Sequence, residues 1–126
     1  MTFSDSKKET NMLIEKIIKI KLSFAEIKFE IKTVGEDIFI LIQGGDKPHI
    51  GSVVLAIPRP SMRDENKISC TSSVLNVIGH KDEKICRYVA ESFCKRYNSV
   101  VVCTGGFHVD NLTTEQIQEV VEACKF

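Results

Sequence analysis

The sequence predicts an α+β fold in a single domain spanning residues 1–126. The expected architecture is a mixed sheet of about five strands, a β-meander followed by a βαβ unit, with two helices packed on one face. Three observations predict it. Apolar residues alternate or run in short blocks at five places, which is strand patterning. Two later segments repeat their apolar residues every fourth position, which is helix patterning. A length of 126 residues with 43% apolar content suits one hydrophobic core.

The elements follow in order. Residues 1–12 are polar and are expected to fray. From Ile18 the chain alternates through Ile20, Leu22 and Phe24. The phase then slips at Ala25, so that Ile27, Phe29 and Ile31 carry the apolar face and Glu26, Lys28, Glu30 and Lys32 the polar one. The slip marks a bulge or a change of element. A short N-terminal helix over 12–18 is an alternative, because Leu13, Ile14, Ile17 and Ile18 form a helical stripe. "TVGED" is a hairpin turn, "DIFILIQ" and "GSVVLAIP" are the next two strands, and "PRPSMRDENK" is a polar loop. "ISCTSSVLNVIG" is the fourth strand and "SVVVCT" the fifth. Between them, residues 82–98 form a helix with Ile85, Val89 and Phe93 on one face. Its first turn is acidic and its last basic, as the helix dipole favours. "TTEQIQEVVEAC" is the final helix, with Thr113 and Gln116 spaced as a capping box. The charged face of the first strand, with Glu26, Lys28, Glu30 and Lys32, implies that helices cover one side of the sheet only.

Composition excludes several classes. Formal net charge is zero, which argues against wholesale binding to nucleic acid or to anionic membrane. No apolar run reaches the roughly 20 residues of a spanning helix, and the N-terminus shows no signal-peptide core, so a cytoplasmic location is expected. Five cysteines lack CxxC or zinc-ribbon spacing and read as free, mostly buried thiols of a reducing compartment.

The three histidines each sit beside glycine, in "GGDKPHIG", "GHKDE" and "GGFHVD". In a meander the turns alternate between the two ends of the sheet. His49 then falls at the same end as His80, which closes the fourth strand. A βαβ crossover returns His108 to that end as well. Asp46, Lys47, Lys81, Asp82 and Asp110 travel with them. This clustering assumes that the second and third strands form a hairpin. A plainer reading of each turn stands beside it. Gly44 and Gly45 would serve only a hairpin, Gly79 would end a strand, and Gly105 and Gly106 would permit a tight strand-to-helix turn.

Three chemistries suit such an edge, one of them acid–base catalysis by a histidine–aspartate pair, for which no obvious nucleophile is at hand. His49, His80 and His108 could hold a divalent metal such as zinc, with Asp46 or Asp110 completing or orienting the shell, and an open fourth position would make the chain a metal-dependent enzyme, although no local motif such as HExxH supports it. Alternatively, glycine loops running into helix N-termini, with Lys47, Lys81 and the histidines, could grip a phosphate or carboxylate. Phe107 would add an apolar or stacking surface, as for a nucleotide or flavin. Neither GxGxxG nor a Walker A sequence is present.

"GGDKPHIGSVVLA", "GHKDE" and "GGFHVDNLT", in this order, resemble the family of prenylated-flavin chaperone-like proteins that includes the D subunit associated with gallate decarboxylase. The resemblance runs from about Phe24 to Cys124. It implies a non-catalytic accessory protein that binds prenylated FMN or FMN and assists maturation of a hydroxyaryl-acid decarboxylase. The implied partners are the large decarboxylase subunit, a flavin prenyltransferase, or both. The matching positions are Gly44, Gly45, Pro48, His49 and Gly51 in the first loop, and Gly79, His80 and Lys81 in the second. In the third they are Gly105, Gly106, His108 and Asp110. Phe107 stands where a smaller aliphatic residue would be expected. Neither nucleic acid nor membrane is an expected partner, and self-association is left open.

Overall fold

A computed structural model describes residues 15–77 and 82–126. The element order is β1 (Glu15–Lys21), β2 (Glu26–Val34), β3 (Asp37–Gly45), β4 (Ser52–Pro60), β5 (Ile68–Asn76), α1 (Glu83–Tyr97), β6 (Val101–His108) and α2 (Thr114–Ala123). The α+β class is therefore as expected, with six strands among the described residues rather than about five. The sixth arises at the Ala25 phase slip. There the chain reverses between β1 and β2, closed by the Leu22 N–H bond to the Ala25 carbonyl at 2.8 Å. The short helix expected over 12–18 is not formed in its described part: Glu15 onward is strand, paired antiparallel with Lys32 backward. Residues 1–12, expected to fray, lie outside the described residues.

The strands lie in the order β1-β2-β3-β6-β4-β5. Of the expected four-strand meander, the β2–β3 and β4–β5 pairs form, and β1 adds an antiparallel strand beside β2. β3 and β4 do not form the expected hairpin, because β6 inserts between them, parallel to β3 and antiparallel to β4. The crossover from β5 through α1 therefore passes over β4, and β5 and β6 are parallel without touching. A continuous apolar strand such as "VVVCT" favours the sheet centre, where both neighbours satisfy its backbone.

Burial follows the period-two pattern. Ile27, Phe29 and Ile31 of β2, Ile38, Ile40 and Ile42 of β3, Val54 and Ala56 of β4, and Val101 and Cys103 of β6 all face one core. Ile85, Cys86, Val89, Ala90, Phe93 and Cys94 of α1 and Val120 of α2 close it from the same side. The opposite sheet face carries no described helix, as the polar side of β2 implied. All five cysteines are free, and four are buried. Burial pushes the Cys94 and Cys124 thiols up to about 12, which keeps them in the neutral form that packs in the core.

Each helix ends where its sequence directs. Asn98 takes the left-handed conformation at φ 49° and closes α1 with a bond to the Cys94 carbonyl. Thr113 and Gln116 form the expected capping box, Gln116 N–H to Thr113 Oγ1 at 3.1 Å and Thr113 N–H to Gln116 Oε1 at 2.9 Å. Thr113→Ala is expected to lower stability by about 1 kcal/mol. Urea unfolding followed by far-UV circular dichroism would show it.

Candidate functional site

The site is built by a chain crossing. Because β6 lies between β3 and β4, the segment from Asp46 to Gly51 must pass over the end of β6. It is tied there by backbone bonds, Asp46 N–H to the His108 carbonyl at 2.8 Å and Gly51 N–H to the Gly105 carbonyl at 2.9 Å. His49 is thereby carried against the end of β6, its ring 6.2 Å from that of His108 in an edge-on arrangement.

Asp82 is the hinge of the site. It is the N-cap residue of α1, yet its side chain makes no cap bond. It turns instead into the protein, with the residue only 5% exposed. Its Oδ1 accepts the Phe107 backbone N–H at 2.9 Å, and its Oδ2 meets His49 Nε2 at 2.8 Å. The other ring nitrogen of His49, Nδ1, lies 2.9 Å from the Lys47 carbonyl. Both partners are pure acceptors, so both bonds form only when the imidazole is doubly protonated. Partial burial lowers the His49 pKa, but the Lys47 carbonyl and the Asp82 carboxylate outweigh it and hold the value above 6.5.

Two glycines are required by this pair. A Cβ on Gly106 would lie 2.5 Å from His49 Nε2 and 2.9 Å from Asp82 Oδ2, and a Cβ on Gly51 would overlap Asp82 Oδ2. Gly44 has a different reason. A side chain there would strike the Glu26 carbonyl and the Phe107 ring. Phe107 itself is buried and meets Phe24 edge-on, with ring centroids 6.0 Å apart. Beyond β6, His108 Nε2 pairs with Asp110 Oδ1 at 2.9 Å, at a half-exposed position.

A cleft of about 470 Å³ opens beside this cluster, between α1 and α2. Val109, Leu112, Ile117, Val120 and Val121 give it an apolar wall, and Asp82, Lys84 and His108 supply polar groups. Its size falls in the range of small-molecule pockets, ~300–1,000 Å³.

The structural elements that form this cluster run from Phe24 to α2, and the family model for the prenylated flavin chaperone LpdD-like domain matches residues 22–126. The chain belongs to this family. A chaperone-family member has an accessory role and works with a partner protein. No sequence among the curated proteins matches the chain. Among solved structures it is similar to a chain of the "Crystal Structure of a Novel Chaperone Complex for Yeast 20S Proteasome Assembly". That likeness has 14% identity and a TM-score of 0.48, and covers 88% of this chain and 92% of the other. Among the described residues of this LpdD-like chain, no helix is long and apolar enough to cross a membrane.

The expected site residues divide into three groups. His49, Gly51, Gly105, Gly106, Phe107 and His108 come together at one end of the sheet, with Gly44 and Gly45 beside them. Lys47, Pro48 and Asp110 are exposed at the periphery, Lys47 contributing its carbonyl. Gly79, His80 and Lys81 lie outside the described residues. Gly105 and Gly106 do not form a strand-to-helix turn: they lie within β6, paired with Ile42 and Gln43. Gly44 and Gly45 likewise serve no β3–β4 hairpin.

A metal reading meets a physical obstacle, since coordination through His49 would displace either Asp82 or the Lys47 carbonyl. Among the described residues, no group of three or more His, Cys, Asp or Glu is arranged to hold a metal ion. The first turn of α1 is already complemented by Asp82 and Glu83, which disfavours an anion directly on that N-terminus. Sequence reasoning placed Asp82 at this edge but assigned it only to the helix dipole. It missed Lys84, Leu112, Ile117 and Val120 as cleft walls, although the apolar stripe of the last helix was a signal for them.

Proposed function

We propose that this LpdD-like chain is a non-catalytic flavin chaperone. It holds prenylated FMN or FMN in the α1–α2 cleft and passes it to the large subunit of a hydroxyaryl-acid decarboxylase, receiving it from a flavin prenyltransferase. The observation that carries this reading is the apolar cleft of about 470 Å³ opening directly against the glycine-lined end of β6. The residues present suit the group. Valine, leucine and isoleucine side chains offer a surface for a ring system and its prenyl extension, and Lys84 and His108 offer cationic or hydrogen-bonding contacts to a phosphate. The bound group would supply the decarboxylase with its chemistry. This chain's residues would bind it, orient it and shield it from water.

Titration of purified protein with FMN and with prenylated FMN, followed by flavin fluorescence and thermal shift, tests the reading. Saturable binding of at least one flavin is expected. Val120→Trp, which fills the cleft, is expected to weaken it by at least about ten-fold, since a loss of 1.4 kcal/mol suffices for that. Absence of binding by either flavin to folded wild-type protein would overturn it.

A further inference from the structure

The two edges of the sheet differ in chemistry. β1, "EKIIKIK", carries three lysines and a glutamate along its seven residues, the usual guard against edge-to-edge pairing. β5, "ISCTSSVLN", has no charged residue, no proline and no glycine in nine, and among the described residues it forms the other edge. Its free edge therefore offers an unguarded row of backbone donors and acceptors. On the open face beside it, Leu75 is 74% exposed and Ile57 of β4 49%.

α1 lies along this edge in a fixed register. Asn76 Nδ2 donates to Glu83 Oε1 at 2.7 Å, and Ser72 Oγ donates to Glu91 Oε2 at 2.6 Å. The helix therefore runs antiparallel to β5, eight helical residues matching four strand residues, as rises of ~1.5 and ~3.3 Å require. The helical row above the edge, at four-residue spacing, is Glu83, Arg87, Glu91 and Lys95, alternating in sign. The midpoint of that row falls at the level of residue 89. By the register of the two side-chain bonds that level matches Ser73, the middle of the strand stretch from Cys70 to Asn76.

We propose that two copies of this chain associate about a two-fold axis through Ser73, pairing their β5 edges antiparallel. The same axis makes the helical rows complementary. Glu83 faces Lys95 of the copy and Arg87 faces Glu91 of the copy, so every position meets its opposite charge. A two-fold interface must be self-complementary in this way. On the open face, Leu75 pairs with Thr71 of the copy, whose register partner is Ile57 of the copy, so the exposed apolar side chains gain neighbours. Six strands from each copy join in one continuous sheet. The opposite edge is guarded, since Lys16, Lys19 and Lys21 of β1 keep their charged heads in solvent.

Light scattering with size-exclusion chromatography of the full chain is expected to give a dimer mass at micromolar concentration. Ser73→Cys is expected to form a covalent dimer on mild copper–phenanthroline oxidation, whereas wild type, with its own five cysteines, and Lys19→Cys on β1 do not. Arg87→Glu is expected to weaken the dimer about ten-fold, and Arg87→Glu with Glu91→Arg to restore it, since the second change recreates opposite pairs at both positions. Should Ser73→Cys not fold, the charge exchange decides alone. A monomer at every concentration, a dimer cross-linked through Lys19→Cys instead, or a double variant as weak as Arg87→Glu would each overturn the proposal.

Discussion

Gly105→Ala is expected to destabilise the fold by about 3–5 kcal/mol, or to prevent folding. Gly105 has φ +127°, outside the regions that L side chains adopt readily. A Cβ there would also overlap the Ile42 carbonyl on the neighbouring β3 strand. That obstacle is backbone in a central strand pair, so no side chain can swing away. The two costs are of order 1–3 kcal/mol each, for the strained conformation and for overpacking. Gly35→Ala is the internal control. It has φ +60° at the β2–β3 turn with nothing within 4 Å, so only the backbone cost of ~1–2 kcal/mol applies. Paired urea melts would measure both. Equal effects from the two substitutions would refute the steric account of β6.

Asp82→Ala is expected to cost about 2–4 kcal/mol, because it orphans two donors at once. The Phe107 N–H would remain buried without its acceptor, and the His49 imidazolium would lose its counter-ion. The pH dependence gives a sharper test. The folded pKa of His49 lies above its ordinary 6.5, so the folded state binds a proton that the unfolded chain releases earlier. The stabilisation is complete below about pH 6.5 and is lost as pH rises through the folded value. Wild type is therefore expected to become less stable from pH 6 to pH 8.5, and Asp82→Asn and His49→Gln to lose that slope. A slope unchanged in both variants would remove His49 from the account.

Much of this was legible in the chain. Alternation in "EIKFEIK" and in "DIFILIQ" set which side chains are buried, because a strand's side-chain period is two and one face must leave water. The spacing of Ile85, Val89 and Phe93 did the same for α1, and Thr113 with Gln116 marked the start of α2 through purely local bonds. Alternating chain direction also placed His49 and His108 at one end. That conclusion survives the failure of its premise: β3 and β4 are not neighbours, yet β6, parallel to one and antiparallel to the other, preserves their opposed directions.

The remainder depended on long-range pairing. Periodicity says which face of a strand is buried but not which strand lies beside it, so the insertion of β6 between β3 and β4 had no local signature. Everything specific to the site follows from that insertion. The loop from Asp46 to Gly51 must cross β6, which brings His49 against Asp82 across 33 residues of sequence and makes glycine necessary at positions 51 and 106 to leave room for the pair. The sequence by itself determined every element after Ala25, their faces and the shared end of the two histidines, since these follow from side-chain periodicity and alternating chain direction, but it left β1 open between helix and strand. Only the tertiary structure decided that Asp82 turns inward, that Gly105 abuts the β3 backbone, and that α1 and α2 leave a cleft. Each of these is set by which distant surfaces meet, and no local pattern encodes that.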